Sequence, residues 1–145
     1  MPRYFFVNKN DLKKEHIAYL LARLPMGLSF FGHGLIRITK LDTFSDGMVK
    51  QFSKSILPEG FVSAFGHVLP FLEFITGVLL LLGFFTRSAL VLGSVVILML
   101  IFGTSLIEQW NGIFTQLFYA AYLAVLYYFS QYNVISVDSR MGGVK

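Results

Sequence analysis

Residues Ser63–Phe84 read SAFGHVLPFLEFITGVLLLLGF. At 1.5 Å of rise per residue, such a run crosses the roughly 30 Å hydrocarbon core of a bilayer, which needs about 20 mostly apolar residues. It is continuously apolar rather than alternating, so it does not suit a barrel strand, and a helix satisfies its own backbone polar groups in lipid. Ser63–Phe84 is therefore read as a transmembrane helix. On either side, Ile17–Ile38, Ser88–Ile107 and Ile113–Ser130 pass the same test. The composition agrees: 55% of the 145 residues are hydrophobic and 14% charged, against about 25% charged in a soluble domain. The mean hydropathy is +0.66. Sixteen phenylalanines and seven tyrosines are hard to hide in a soluble domain this small. An unfolded chain, an ordinary soluble enzyme and a nucleic-acid-binding domain are excluded. The net charge of +4 reads as basic residues flanking a membrane. With no cysteine, disulfides, thiol redox chemistry and thiolate-held metals are excluded as well.

The link between spans two and three is Phe85-Thr86-Arg87, and that between three and four is Glu108–Gly112. Links this short force antiparallel neighbours, so the expected fold is all-α, an integral membrane up-down four-helix bundle over residues 17–130. The first connection, Thr39–Val62, is longer. Within it Phe44, Met48, Phe52 and Ile56 recur every four residues while Asp46, Lys50 and Lys54 take another face. That pattern predicts an interfacial amphipathic helix over about 43–56, ended by Leu57-Pro58-Glu59-Gly60. Residues 1–16 read as a cytoplasmic interfacial segment and 131–145 as a cytoplasmic tail. Arg3, Lys9, Lys13, Lys14, Arg87, Arg140 and Lys145 lie on the side of the termini, against Arg37, Lys40, Lys50 and Lys54 on the other. The positive-inside rule then places both termini in the cytoplasm of a multi-pass cell-membrane protein. The bilayer is its first partner. Gly93 and Gly103 on span three are free to serve either the bundle or a homo-oligomer.

Spans three and four carry no charge, whereas spans one and two hold Arg23, His33, Arg37, His67 and Glu73. A charge at membrane depth costs at least about 2.5–3.5 kcal/mol, so each needs a partner or a function. On span one, Arg23, Gly27, Phe30, Gly34 and Arg37 share one helical face. Arg37 is expected to snorkel to the interface. Glu73 lies near the midplane, about 15 Å from the outer end of its span. A lone carboxylate there is prohibitive, and Arg23 is the expected partner. His33 and His67 fall at one depth, about 6–7 Å below the outer face, and Gln116 on span four reaches a similar level. Three roles stand open for the histidines: satisfied polar residues between helices, donors to a quinone carbonyl, or a bis-histidine haem or metal pair. The last has the least support, because no further ligand pattern accompanies them. Pro25 and Pro70 kink the same two helices. Together these residues predict a polar pocket between spans one and two, closed by span four and open toward the outer leaflet, with Arg23, His33, Arg37, His67, Glu73 and Gln116 as its ligand-binding residues.

The order Arg23, Gly27, Phe30, His33-Gly34, Arg37 resembles the arginine-glycine-(histidine)-glycine-basic signature of the DoxX family, where the last position is more often lysine. Pro70-Phe71-Leu72-Glu73, Gly77, Gly83 and Thr86-Arg87 resemble its second-span stretch, and Ile135-Ser136-Val137-Asp138 its closing serine-x-aspartate. The resemblance covers about residues 17–140. It implies a small four-helix membrane protein of bacteria or archaea in a quinone-linked or redox-accessory role, carried by Arg23, His33, Glu73 and Arg37. Its oxidoreductase half would be another protein, membrane-bound or soluble. Quinone is the implied ligand ahead of haem, and no metal site is implied. The alternative is a non-catalytic membrane scaffold or partner subunit whose buried charges serve helix packing. Solute transport fits poorly, since no inverted repeat is visible.

Overall fold

The computed structural model describes residues 12–142 and holds no strand among them. Six α-helices follow in order: α1 (Lys14–Ile38), α2 (Leu41–Gln51), α3 (Glu59–Leu82), α4 (Thr86–Leu106), α5 (Trp110–Tyr128) and α6 (Val137–Arg140), with one 3-10 turn at Ser130–Tyr132. Most of the segment expected over residues 1–16 lies outside the described residues. Of the long helices, α3 and α4 are apolar enough over their length to cross a membrane. The expected first and fourth spans do not reach that measure, because α1 carries Arg23, Arg37 and His33 and α5 carries Gln116 and four tyrosines.

Glycine sets how the long helices meet. A Cβ on Gly34 would collide with the backbone of Phe74, one on Gly77 with the backbone of Phe31, and one on Gly27 would press on Leu80 and Leu81 at 3.0–3.2 Å. Small residues let two backbones come this close. The pairs Gly27–Leu81, Phe31–Gly77 and Gly34–Phe74 fix an antiparallel register for α1 and α3 in which position 35 stands opposite Glu73. Next to α3, a Cβ on Gly93 of α4 would press on Thr76 and Phe30 at 3.2–3.3 Å. One on Gly103 would meet the Phe52 ring at 3.2 Å. Both glycines of α4 thus serve packing within the chain.

The remaining side of α1 is held to α5 by hydroxyls. Tyr19 donates to the Leu126 carbonyl at 2.9 Å and Tyr122 to that of Ala22 at 2.8 Å, while Ser29 bonds Tyr119. Leu69, Leu80, Val96 and Leu123 fill the space between the four long helices and are fully buried. Apolar side chains also stand outward all around, among them Leu21 and Leu28 on α1, Val68 and Ile75 on α3, Leu98 and Phe102 on α4, and Phe114 and Phe118 on α5.

The helix expected over 43–56 runs from Leu41 to Gln51. Phe44 and Met48 pack on the core, and Phe52 caps the helix with φ −92°. Ile56, the fourth member of the repeat, is 84% exposed. The turns after Gln51 interrupt the pattern before it can pack. Ser45 is completely buried, seated against Gly66 of α3 and donating to the Ser63 carbonyl at 3.0 Å. Pro25 and Pro70 both sit inside helices that run through without a break.

Gly34→Ala and Gly77→Ala should each lower the thermal midpoint of the detergent-purified protein, by about 1–3 kcal/mol of overpacking. Gly32→Ala is the control: a Cβ there meets nothing within 4 Å, so the midpoint should hold or rise with the gain in helix propensity.

Candidate functional site

The register of α1 against α3 decides the central ion pair. Position 35 faces Glu73, so Arg37 is within half a turn of it, whereas Arg23 lies twelve residues off, roughly 18 Å along the axis. Arg37 Nη1 accordingly donates to both carboxylate oxygens of Glu73, at 2.5 and 2.7 Å. Glu73 is 4% exposed. The Arg37 guanidinium also lies over the Phe44 ring, 4.7 Å from its centre, which ties α2 to the pair. The expected Arg23–Glu73 pair is thereby corrected, and Arg37 does not snorkel as a free interfacial cation. Depth was counted from the ends of the apolar runs, but glycine-driven close approach sets the register.

Two clefts adjoin this pair. The larger, about 370 Å³, is mostly apolar: Phe44, Met48, Phe52, Phe65, Leu69 and Phe102 line it, together with Arg37 and Gln116. The smaller, about 220 Å³, is the more polar of the two, with His33, Arg37, Glu73, Thr115, Gln116 and Tyr119 in its lining beside Phe30, Ile97 and Leu100. Arg37, Leu100, Gly112 and Gln116 belong to both. An apolar chamber opening beside a few converging polar groups is the usual form of a small-molecule site.

His33 bonds the Ser29 carbonyl through Nδ1 at 2.8 Å. A ring nitrogen facing a carbonyl carries the hydrogen, so the neutral ring presents Nε2 as an acceptor. On α5, Gln116 Nε2 donates to Thr104 Oγ1 at 2.8 Å, and Thr104 donates onward to the Leu100 carbonyl at 2.7 Å. Gln116 Oε1 is buried without a hydrogen-bond partner among the described residues.

Four of the six residues singled out from sequence therefore converge: His33, Arg37, Glu73 and Gln116. His67 does not join them. Six residues separate it from Glu73, which turns it about 120° around α3. Its Nδ1 lies 2.8 Å from the Ser63 carbonyl and its Nε2 3.2 Å from the exposed Asp42 carboxylate on α2. The two histidines thus stand on different faces and form no pair. Among the described residues no group of three or more His, Cys, Asp or Glu is placed to hold a metal ion.

Arg23 belongs to a separate assembly at the other end of the helices. It is 2% exposed and bonds the Asn133 side chain and, at 3.1 Å, the Ile135 carbonyl. Asn133 passes a hydrogen bond to Thr86 at 2.8 Å. The α3–α4 turn closes over it. Gly83 takes φ +65°, and a Cβ there would strike the Arg23 guanidinium and Ser136. Phe85 also has positive φ, 46°. The Asp138 carboxylate accepts from the Phe85 and Thr86 amides at 2.7 and 2.9 Å. It caps the first turn of α4, where the helix dipole favours negative charge. The tail residues Ser136 and Asp138 thus have a structural job, holding the chain end against the turn that Arg23 supports.

Tyr119, Thr115 and Thr104 were not singled out from sequence. A signal for two of them was available: Thr115 and Gln116 stand three and four residues after Gly112, and Tyr119 seven after it, all on one face of α5. Thr104 is an ordinary polar residue in an apolar run, and its role emerges only when α5 folds back on α4.

A helical chain with two helices apolar enough to cross a bilayer, and with an arginine and a glutamate buried between its helices, has the make-up of a membrane protein. The family comparison fits that class. The DoxX family model matches residues 18–106, more than half of the chain, and the protein belongs to that family, a small membrane protein. The match covers α1 to α4, so it contains His33, Arg37 and Glu73 and stops before Gln116 and the tail. No curated protein and no solved structure matches the chain.

Breaking one partner of the buried pair leaves an uncompensated charge. Arg37→Met should cost about 3–5 kcal/mol of stability, and Arg37→Met with Glu73→Leu should recover most of it. Denaturation of the two variants in one detergent, completed as a double-mutant cycle, measures the difference.

Proposed function

We propose that this chain is a multi-pass protein of the bacterial inner membrane, an up-down four-helix bundle of α1, α3, α4 and α5 with both termini cytoplasmic. In this reading α2 lies at the outer interface, and the chain binds a quinone-class ligand as the accessory membrane subunit of a redox system. The observation that carries the proposal is the meeting of an apolar and a polar cleft at Arg37 and Gln116. A quinone has the matching division, an apolar tail and a polar ring.

Several features support the membrane topology. Outward-facing apolar side chains occur on all four long helices, including α1 and α5. Trp110 stands 64% exposed at one end of the α4–α5 hairpin, and Tyr128 is 74% exposed at the other, the places of interfacial anchors. Lys13, Lys14, Arg87 and Arg140 cluster at the end away from α2. The ligand reading draws on Arg37, whose guanidinium has five N–H donors of which Glu73 takes only part, and on His33 and Glu73 in the polar cleft. The family resemblance adds the redox role, with the oxidoreductase activity on a partner protein. A second reading, a scaffold without a ligand, is favoured by the fact that Arg37 and Glu73 satisfy one another.

Two measurements test the proposal. Decylubiquinone or, anaerobically, decylubiquinol should raise the melting temperature of the purified protein, and His33→Ala should weaken the shift given by the quinol; no shift with either form at saturation favours the scaffold. Because the chain has no cysteine, single cysteines report topology. In intact cells an impermeant maleimide should label Gly60→Cys, and should label Arg140→Cys only after lysis. Equal labelling of both overturns the orientation.

A further inference from the structure

Two acceptors of the polar cleft have an orientation that the protein has already fixed. Thr104 has one hydroxyl proton, and it is committed to the Leu100 carbonyl at 2.7 Å. Toward Gln116, therefore, the threonine oxygen can only accept. The Gln116 amide must turn its NH2 to Thr104, at 2.8 Å, which fixes the opposite atom as Oε1. That oxygen is buried and has no hydrogen-bond partner among the described residues. A buried acceptor left unmade is costly, so the site favours a species that brings a donor to it. The same logic applies across the cleft. His33 directs Nδ1 at the Ser29 carbonyl at 2.8 Å; with the hydrogen there, Nε2 is an acceptor, and it has no hydrogen-bond partner among the described residues. Both residues line the 220 Å³ cleft.

From this we infer that Gln116 is a specificity-determining residue, which makes the site select a ligand bearing O–H donors on its polar ring, a hydroquinone rather than the corresponding quinone. A quinone carbonyl is itself an acceptor, so it leaves Gln116 Oε1 unsatisfied and meets His33 Nε2 lone pair to lone pair. A hydroquinone hydroxyl satisfies either. Glu73 does not reverse this preference, since its carboxylate is also an acceptor and is held by Arg37. Arg37 offers donors to both redox forms and so contributes affinity without discrimination. Tighter binding of the reduced form also raises the midpoint potential of the bound couple, by about 30 mV for each tenfold of preference.

The inference rests on the quinone-class reading of the site, and the test separates the two. The full chain in detergent is titrated with decylubiquinone and, anaerobically, with decylubiquinol, and both dissociation constants are measured. The expected result is at least a tenfold preference for the quinol. Gln116→Leu should reduce the preference to near unity by weakening quinol binding. Thr104→Val frees the amide to flip and should strengthen quinone binding. Equal affinities for the two forms, or a preference for the quinone, overturn the inference while leaving the quinone-class reading intact. A preference unchanged in Gln116→Leu overturns the role of that residue. If neither form binds, the functional reading falls, and the inference with it. Should Gln116→Leu not fold, the wild-type comparison and Thr104→Val decide.

Discussion

The close approach of α1 and α3 is the constraint on which the rest of the structure depends. Gly34 under Phe74 and Gly77 under Phe31 leave no room for a single extra carbon. That contact fixes the axial register of two helices that carry every charge buried at depth. A shift of one turn would move the helices by about 5.4 Å and part Arg37 from Glu73. It would also drive the Gly83 turn off Arg23. The ion pair at one end and the arginine-centred assembly at the other are both consequences of one glycine-lined seam.

The two arginines of α1 show two ways to bury a cation. Arg37 is paired with a carboxylate, stacked on Phe44 and partly open to the clefts. Arg23 is almost wholly enclosed and makes its hydrogen bonds to neutral acceptors, the Asn133 amide and the Ile135 carbonyl. The first arrangement leaves donors beside the larger cleft. The second closes the chain end, with Asp138 compensating the strained Gly83-Phe84-Phe85 turn through the amides of Phe85 and Thr86. A paired arginine beside the clefts and an enclosed arginine at the chain end thus occupy opposite ends of one helix.

Much of this was legible from residue pattern. The glycine and arginine face of α1 was visible as a spacing of four and three, and the restriction of charge to spans one and two marked where polar contacts would lie. Residue counting from the ends of the apolar runs went astray at Glu73, because helices extend beyond their apolar cores and slide to suit their glycines. It also set His33 and His67 level without asking which way each faced. Six residues on α3 turn His67 away from Glu73 and toward Asp42. The roles of Thr104, Tyr119 and Asn133 depend on contacts between segments far apart in the chain, which no local pattern encodes.

The sequence by itself determined the helical, membrane-embedded class of this protein. Long uninterrupted apolar runs have one backbone solution in lipid, and short links admit one relative direction for the helices they join. It also determined which residues must be satisfied, since a charge at depth cannot stand alone. Only the tertiary structure decided who satisfies whom. Pairing is a matter of register and rotation, set by steric fit along the whole α1–α3 seam, and a change of a few ångströms there exchanges one partner for another.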